Sequence, residues 1–107
     1  MEIDDYIKKK MEDYDFILNF IESENTIDDQ EKILKFVKEK RYKENRKELQ
    51  LTLLFISRII KNHNRNQYFF QKIRIFLSIL RDSIKESFSN LEIIDIFKNN
   101  IVVLSII

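Results

Sequence analysis

The densest apolar run of the chain reads LQLTLLFISRII and covers residues 49–60. Its members at spacings of three and four, the period of one helix face, are Leu49, Leu53, Ile56 and Ile60. Leu54 and Phe55 widen this stripe, and a helix that is apolar on most sides is typical of a domain interior. The run therefore predicts the central helix of an all-α fold.

Two amphipathic helices are predicted ahead of this run. The first covers residues 2–23, and its stripe consists of Ile3, Ile7, Met11, Tyr14, Ile17, Leu18 and Ile21. Thr26 and Asp29 have the form of a capping box that begins the second helix, about 27–40. The stripe of that helix consists of Ile27, Ile33, Leu34, Phe36 and Val37. The polar segment 40–46 indicates a connection, with one continuous charged helix as the competing interpretation.

Two more helices are predicted after the run. Residues 62–66 mark a break, because Asn readily adopts turn conformations. A long helix is predicted over 67–88, and its stripe consists of Phe69, Ile73, Phe76, Leu77, Leu80, Ile84 and Phe88. Ser89 and Glu92 form a second capping box. It begins a short helix that ends at residues 99–100 and whose apolar residues are Ile93, Ile94, Ile96 and Phe97.

The apolar tail 101–107 fits either a strand or a helix. Three roles stay open for it: packing into the core, contacting a partner, or opening a further helix. The five predicted helices with short connections favour an antiparallel array or bundle. Helix pairs of about 40 residues, stacked like a short solenoid, are the alternative arrangement. We expect one helical domain over 1–107, with 1–44 and 45–107 as candidate sub-units.

The composition argues against catalysis. The sequence contains no Gly, Pro or Cys, so phosphate-binding loops and strained nucleophile elbows lack their usual residues. The absence of Cys also excludes disulfides, thiolate nucleophiles and Cys-ligated zinc. His63 is the sole histidine, and a role in capping or packing the preceding helix explains it more simply than metal binding. We therefore expect no enzyme activity, no cofactor and no metal site.

Two further observations concern location. The sequence lacks an uncharged run of about 18 residues, the length that a membrane helix needs. Its acidic start, MEIDD at residues 1–5, is not followed by the apolar region of a signal peptide. We therefore expect no membrane association and a cytoplasmic protein.

Charge is segregated along the chain. Residues 1–31 carry 3 basic and 11 acidic side chains, and residues 32–74 carry 13 basic and 3 acidic ones. The candidate basic surface consists of Lys40, Arg41, Lys43, Arg46 and Lys47. Cations release counterions from phosphate backbones, so nucleic-acid binding through 32–74 is the alternative function. No nucleic-acid signature accompanies it, and neutralisation of the basic segment by the acidic helix is the simpler explanation.

Three motifs occur in order between residues 55 and 100: NHNR at 62–65, FFQKI at 69–73 and FSNLEIIDIF at 88–97. Together they resemble the helical segment that precedes the ankyrin repeats in an expanded family of protist, trichomonad-type proteins. Asn64 stands where that family often has a second His, and Ile94 where Phe is common. The sequence contains no ankyrin signature such as Thr-Pro-Leu-His, so the repeats themselves are absent from it.

The resemblance implies a non-catalytic helical module for protein-protein interaction. In relatives such a module would pack on the ankyrin repeats or cap them. The expected partner is therefore a protein, with ankyrin repeats as one candidate. The identity of the partner and the oligomeric state do not follow from the sequence.

Overall fold

The computed structural model describes residues 3–23, 27–62 and 68–100. Within these residues the secondary structure consists of five helices and the turns that join them, without a strand. The helices are α1 (Ile3–Glu22), α2 (Ile27–Lys40), α3 (Arg46–Asn62), α4 (Phe69–Ile84) and α5 (Asn90–Asn100). The predicted all-α class is confirmed.

The connection between α2 and α3 is a tight turn over residues 41–44, so the competing prediction of one continuous helix is wrong. Arg41 has a φ of 50°, a left-handed conformation that is usually adopted by Gly at the end of a helix. The amide N–H groups of Glu44 and Asn45 both donate to the Arg41 carbonyl, at 2.9 and 3.1 Å. These bonds reverse the chain without any glycine.

The fourth helix ends at Ile84, one turn before the predicted end at residue 88. The N–H groups of Ser87 and Phe88 donate to the Ile84 carbonyl, at 3.0 and 3.1 Å, and close a turn there. The capping box that follows is confirmed. Glu92 N–H donates to Ser89 Oγ at 3.1 Å, and Ser89 N–H donates to Glu92 Oε1 at 3.3 Å. Helix α5 therefore begins where the sequence predicts it, after a turn that ends α4 early.

Three sequence predictions fall outside the described residues. They are the capping role of Thr26, the turn over residues 63–66 that includes His63, and the role of the tail 101–107.

Helices α1 and α4 are antiparallel. The rings of Phe20 and Phe76 lie 5.9 Å apart between centroids, and Lys72 Nζ donates to Ser23 Oγ at 3.0 Å, so residue numbers rise along α1 as they fall along α4. Each helical residue adds about 1.5 Å of length, which places Ile84 level with about residue 11 of α1. Helix α4 therefore runs beside the C-terminal half of α1, and its own first turn extends past the end of α1 at Glu22.

Helix α2 is antiparallel to α1 as well. Lys40, its last residue, donates to Asp13, and Phe36 stacks on Phe16 with centroids 4.7 Å apart. Helix α2 therefore ends level with Asp13. Further contacts join α1 to α3, α2 to α4 and α3 to α5. The first two of these join the candidate sub-units 1–44 and 45–107 to each other. The described helices form a bundle, as predicted.

The buried core takes side chains from all five described helices and from the turn after α2. Its apolar members are Ile17, Phe20, Ile21, Ile33, Val37, Tyr42, Leu49, Leu53, Ile56, Ile59, Ile60, Phe69, Ile73, Phe76, Leu77, Leu80, Ile84, Ile93 and Ile96. Helices α3 and α4 each contribute seven buried residues when polar ones are included. The predicted central helix α3 therefore shares the centre of the fold with α4.

In α2, α3 and α5, one residue of each predicted stripe is exposed instead. Leu34 of α2, Leu54 of α3 and Ile94 of α5 are 54%, 50% and 48% exposed. Each directly follows a buried residue, about 100° around the helix. A helix that packs on one side buries only a limited stripe, so these neighbours remain outside it.

The largest departure from prediction lies in α1. Ile17 and Ile21 are buried, whereas Ile3, Ile7 and Met11 of the same stripe are 76%, 49% and 63% exposed. The reason is the length of the neighbouring helices. Both α2 and α4 have ended at the level of residues 11–13, so the first half of α1 extends beyond them.

Candidate functional site

A groove of about 530 Å³ opens between the exposed first half of α1 and the outer side of α3. Its apolar lining consists of Tyr6, Ile7, Met11 and Tyr14 from α1 and Phe55 from α3. Arg58 and Asn62 extend the lining along α3. The groove exists because α1 continues past the helices that cover the rest of its stripe.

The floor of the groove is a pair of aromatic rings. Tyr14 and Phe55 meet edge to face, with centroids 5.5 Å apart, a preferred geometry for aromatic pairs. Both rings are half-buried and pack against the core cluster. The floor is therefore held in place by the fold, while Ile7 and Met11 above it lie open to solvent.

The two sides of the groove carry opposite charge. Three charged residues line it: Lys10 and Asp15 of α1 and Arg58 of α3. Lys10 is paired with Glu48 and only 13% exposed, whereas Asp15 and Arg58 are exposed. The exposed charges of the lining are thus an anion on the α1 side and a cation on the α3 side, with the apolar floor between them.

An ion cluster lies at the boundary between the two halves of α1. Lys10 pairs with Glu48 at the start of α3 and lies 3.6 Å from Asp13, and Lys40 pairs with Asp13. The four side chains are only 10–18% exposed. The two cations also lie over aromatic rings, Lys10 over Tyr6 at 5.4 Å and Lys40 over Phe36 at 5.1 Å. The cluster ties the end of α2 and the start of α3 to α1.

A buried tyrosine lies beside this cluster. Tyr42 Oη and Thr52 Oγ1 are 2.9 Å apart, and Thr52 Oγ1 donates its hydrogen to the Glu48 carbonyl at 2.9 Å. Tyr42 must therefore be the donor in the first bond, since the Thr52 hydrogen is already used. Burial raises the pKa of the Tyr42 phenol above its usual range, and the negative charges of Glu48 and Asp13 act in the same direction.

The five residues of the candidate basic surface have different surroundings. Lys40 is held in the ion cluster at 10% exposure. Arg41 is exposed and lies 3.8 Å from Glu44, while Arg46 lies over the Phe88 ring at 5.7 Å. Lys43 and Lys47 are exposed.

Two members of that surface do share a cleft. Arg41 and Lys43 line a cleft of about 650 Å³ together with Lys38 of α2, Glu44 and Ser83 of α4. Arg46 and Lys47 are not among its lining residues. The structure therefore divides the predicted basic surface between this cleft, the exposed start of α3 and the ion cluster.

Lys72 is a polar core residue that the sequence analysis missed. It is 1% exposed, its Nζ donates to Ser23 Oγ at 3.0 Å, and the same atom lies 4.5 Å from the centre of the Phe20 ring. Lys72 follows Phe69 by three residues and therefore falls on the buried face of α4. That spacing was the available signal. Lys72 joins the start of α4 to the end of α1.

Within the described part of the chain, no three His, Cys, Asp or Glu side chains lie close enough together to hold a metal ion. Every buried side-chain nitrogen or oxygen there has a hydrogen-bond partner. None of the described helices combines the length and apolar character needed to span a bilayer.

No protein-family model, curated protein or solved structure matches this chain. The resemblance to protist ankyrin proteins therefore stands on its motifs alone. Within FSNLEIIDIF, Ser89 and Glu92 form the capping box, and Ile93 and Ile96 are buried. These residues have structural roles in α5, so the functional argument depends on the groove.

Proposed function

We propose that this chain is a non-catalytic helical module that binds another protein through the groove between α1 and α3. The observation that carries the proposal is the exposed apolar stripe of Ile3, Ile7 and Met11, with Tyr6 beside it at 49% exposure. Soluble proteins rarely expose a contiguous apolar patch of this kind unless a partner covers it. Covering these side chains would supply the main driving force for association.

The chemistry of the lining supports a protein as the partner. Tyr and Met are enriched at the centres of protein interfaces, and tyrosines are frequent among the residues that dominate binding energy. Tyr14 is already held against Phe55, so binding would lose little side-chain freedom there. The exposed charges of Asp15 and Arg58 form a polar rim around the apolar centre.

The resemblance supplies a candidate context for this module. In the protist ankyrin proteins that it resembles, it would pack on the repeats or cap them, and it would act in the cytoplasm. A helix of an ankyrin repeat is a suitable ligand in form, because apolar grooves commonly bind the apolar face of a helix. Ankyrin repeats are therefore one candidate partner within the proposal.

Capture from cell lysate tests the proposal with three forms of the chain: wild type, Met11→Asp and Leu91→Asp. Met11 and Leu91 are both exposed apolar residues, at 63% and 76%, and only Met11 lines the groove. After nuclease treatment, we expect wild type and Leu91→Asp to retain the same proteins and Met11→Asp to lose them. Circular dichroism checks that all three are folded. Identical retention by the three forms would overturn the proposal.

Nucleic-acid binding through 32–74 is the second candidate, and the cleft lined by Lys38, Arg41 and Lys43 favours it. Fluorescence anisotropy with labelled RNA and DNA tests this candidate. Phosphate binding predicts an affinity that falls steeply as salt rises from about 50 to about 200 mM. It also predicts loss of binding in Arg41→Glu with no change in Met11→Asp. Affinity without this salt dependence excludes the candidate.

A further inference from the structure

We infer that the partner in the groove is a second copy of this chain, related by a two-fold axis that lays α1 of each copy against α3 of the other. The inference rests on the proposed function and names its partner. It follows from the distribution of charge around the groove.

The groove is complementary to itself. Its α1 side exposes an anion, Asp15, and its α3 side exposes a cation, Arg58. Lys10, the third charged residue of the lining, is already paired with Glu48 and is 13% exposed. In a two-fold dimer the same patch serves both copies, so a patch that carries both signs on opposite sides can pair with itself.

The charges also select the orientation of the two-fold axis. An axis that runs along the groove exchanges its sides and brings Asp15 of each copy towards Arg58 of the other. An axis that runs across the groove would lay α1 on α1 and α3 on α3. Like charges facing each other across an interface oppose association, so the first arrangement is favoured.

The apolar floor would become buried in the same arrangement. Ile7 and Met11 of each copy, 49% and 63% exposed in the single chain, would cover Phe55 and its surroundings in the other. Nine described residues line the groove, fewer than the roughly 20–30 residues a side of a standard interface. The dimer is therefore a weak one, and its charge contacts make it sensitive to salt.

A charge-swap experiment on the full chain tests this dimer by sedimentation equilibrium. Asp15→Arg makes both sides of the groove cationic, and Arg58→Asp makes both sides anionic. Each single variant should raise the dimer Kd by roughly tenfold or more, because like charges then face each other at two symmetric contacts. An equimolar mixture of the two variants should restore a dimer close to wild-type affinity, since only the mixed pair matches cation to anion at both contacts.

The mixture separates contacts between copies from contacts within one chain. A pair formed inside one chain stays broken on mixing, whereas a pair between copies is restored. Both residues are exposed, so the swaps leave the core unchanged, and circular dichroism verifies the fold. A wild-type Kd that rises with added salt provides a second measurement that needs no variant.

Three results would overturn the inference. The first is a dimer whose Kd is the same in wild type and in both charge-swap variants and does not change with added salt. The second is a mixture that fails to restore the dimer. The third is a chain that stays monomeric at millimolar concentration, where even a dimer with a Kd of about 1 mM would be populated.

The monomeric result also separates the two proposals. If the chain is monomeric and Met11→Asp loses proteins that wild type retains, the dimer is overturned and the proposed protein-binding function stands. If the chain is monomeric and wild type and Met11→Asp retain the same proteins, both proposals are overturned. A monomer that dimerises only after removal of residues 101–107 identifies the chain's own tail as the occupant, and likewise overturns the second copy.

Discussion

The two halves of α1 have the same sequence pattern and opposite surroundings. Ile17 and Ile21 are 0% and 1% exposed, whereas Ile7 and Met11, earlier in the same stripe, are 49% and 63% exposed. Helical spacing therefore identifies which face of α1 is apolar along its whole length. It does not say how much of that face another helix covers.

The difference between the halves depends on where other helices end. Helix α4 ends at Ile84, level with the middle of α1. Had α4 continued to Phe88, the antiparallel register would have covered one more turn of α1, about 6 Å, and narrowed the groove. The three predictions below test this account of α1, from the largest expected effect to the smallest.

Truncation of one isoleucine in each half tests the comparison directly. Ile17→Ala removes a fully buried side chain and should lower the free energy of unfolding by about 2–5 kcal/mol. Ile7→Ala removes a half-exposed one and should change it by less than about 0.5 kcal/mol. Urea unfolding gives both values, at concentrations where the chain is monomeric. Equal losses would show that the two halves are buried alike.

The ion cluster at the boundary between the halves is the second test. Asp13→Asn removes the charge that accepts from Lys40 and lies near Lys10. We expect a loss of about 1–3 kcal/mol in the free energy of unfolding, because two cations of low exposure lose their shared anion. The matched control is Glu12→Gln, at an exposed neighbouring position. A loss no larger than that of the control would show that the cluster does not stabilise the fold.

The loss of stability at alkaline pH tests whether Tyr42 is buried beside that cluster. Burial raises the pKa of Tyr42 above the value of about 10 that it has when unfolded. The unfolded chain therefore releases this proton first, and stability is present below pH 10 and lost as pH rises above it. Between about pH 10 and 11 the wild type should lose about 1 kcal/mol more than Tyr42→Phe. An equal loss in the free energy of unfolding for the two proteins over this pH range would show that Tyr42 is not buried.

Helix existence was the most predictable part of this fold. The bounds of α2 agree with the prediction, and the Ser89–Glu92 capping box begins α5 where the sequence places it. These features depend on neighbours within one turn. The early end of α4 at Ile84 was not predictable in the same way, because Phe88 continues the apolar spacing of that helix.

The candidate site was less predictable, for physical reasons. Lys40 lies in a basic segment of the sequence, but its partner Asp13 lies 27 residues away. Lys72 is buried by contact with Ser23, 49 residues away. The groove itself exists because α2 and α4 end near the middle of α1, and the sequences of α1 and α3 do not indicate where those helices end. Contacts between distant segments therefore decided which charged and apolar residues remain on the surface.

The pairing of α1 with α4 has a consequence for the order of folding during synthesis. Phe20 contacts Phe76, and a ribosome adding roughly 5–20 residues per second reaches that partner about 3–11 s after it makes Phe20. Until then α1 has only α2 and α3 to pack against, and the side of its core segment that α4 covers stays exposed. The nascent chain is therefore prone to aggregation in this interval, which ends when α4 completes the cover of that segment.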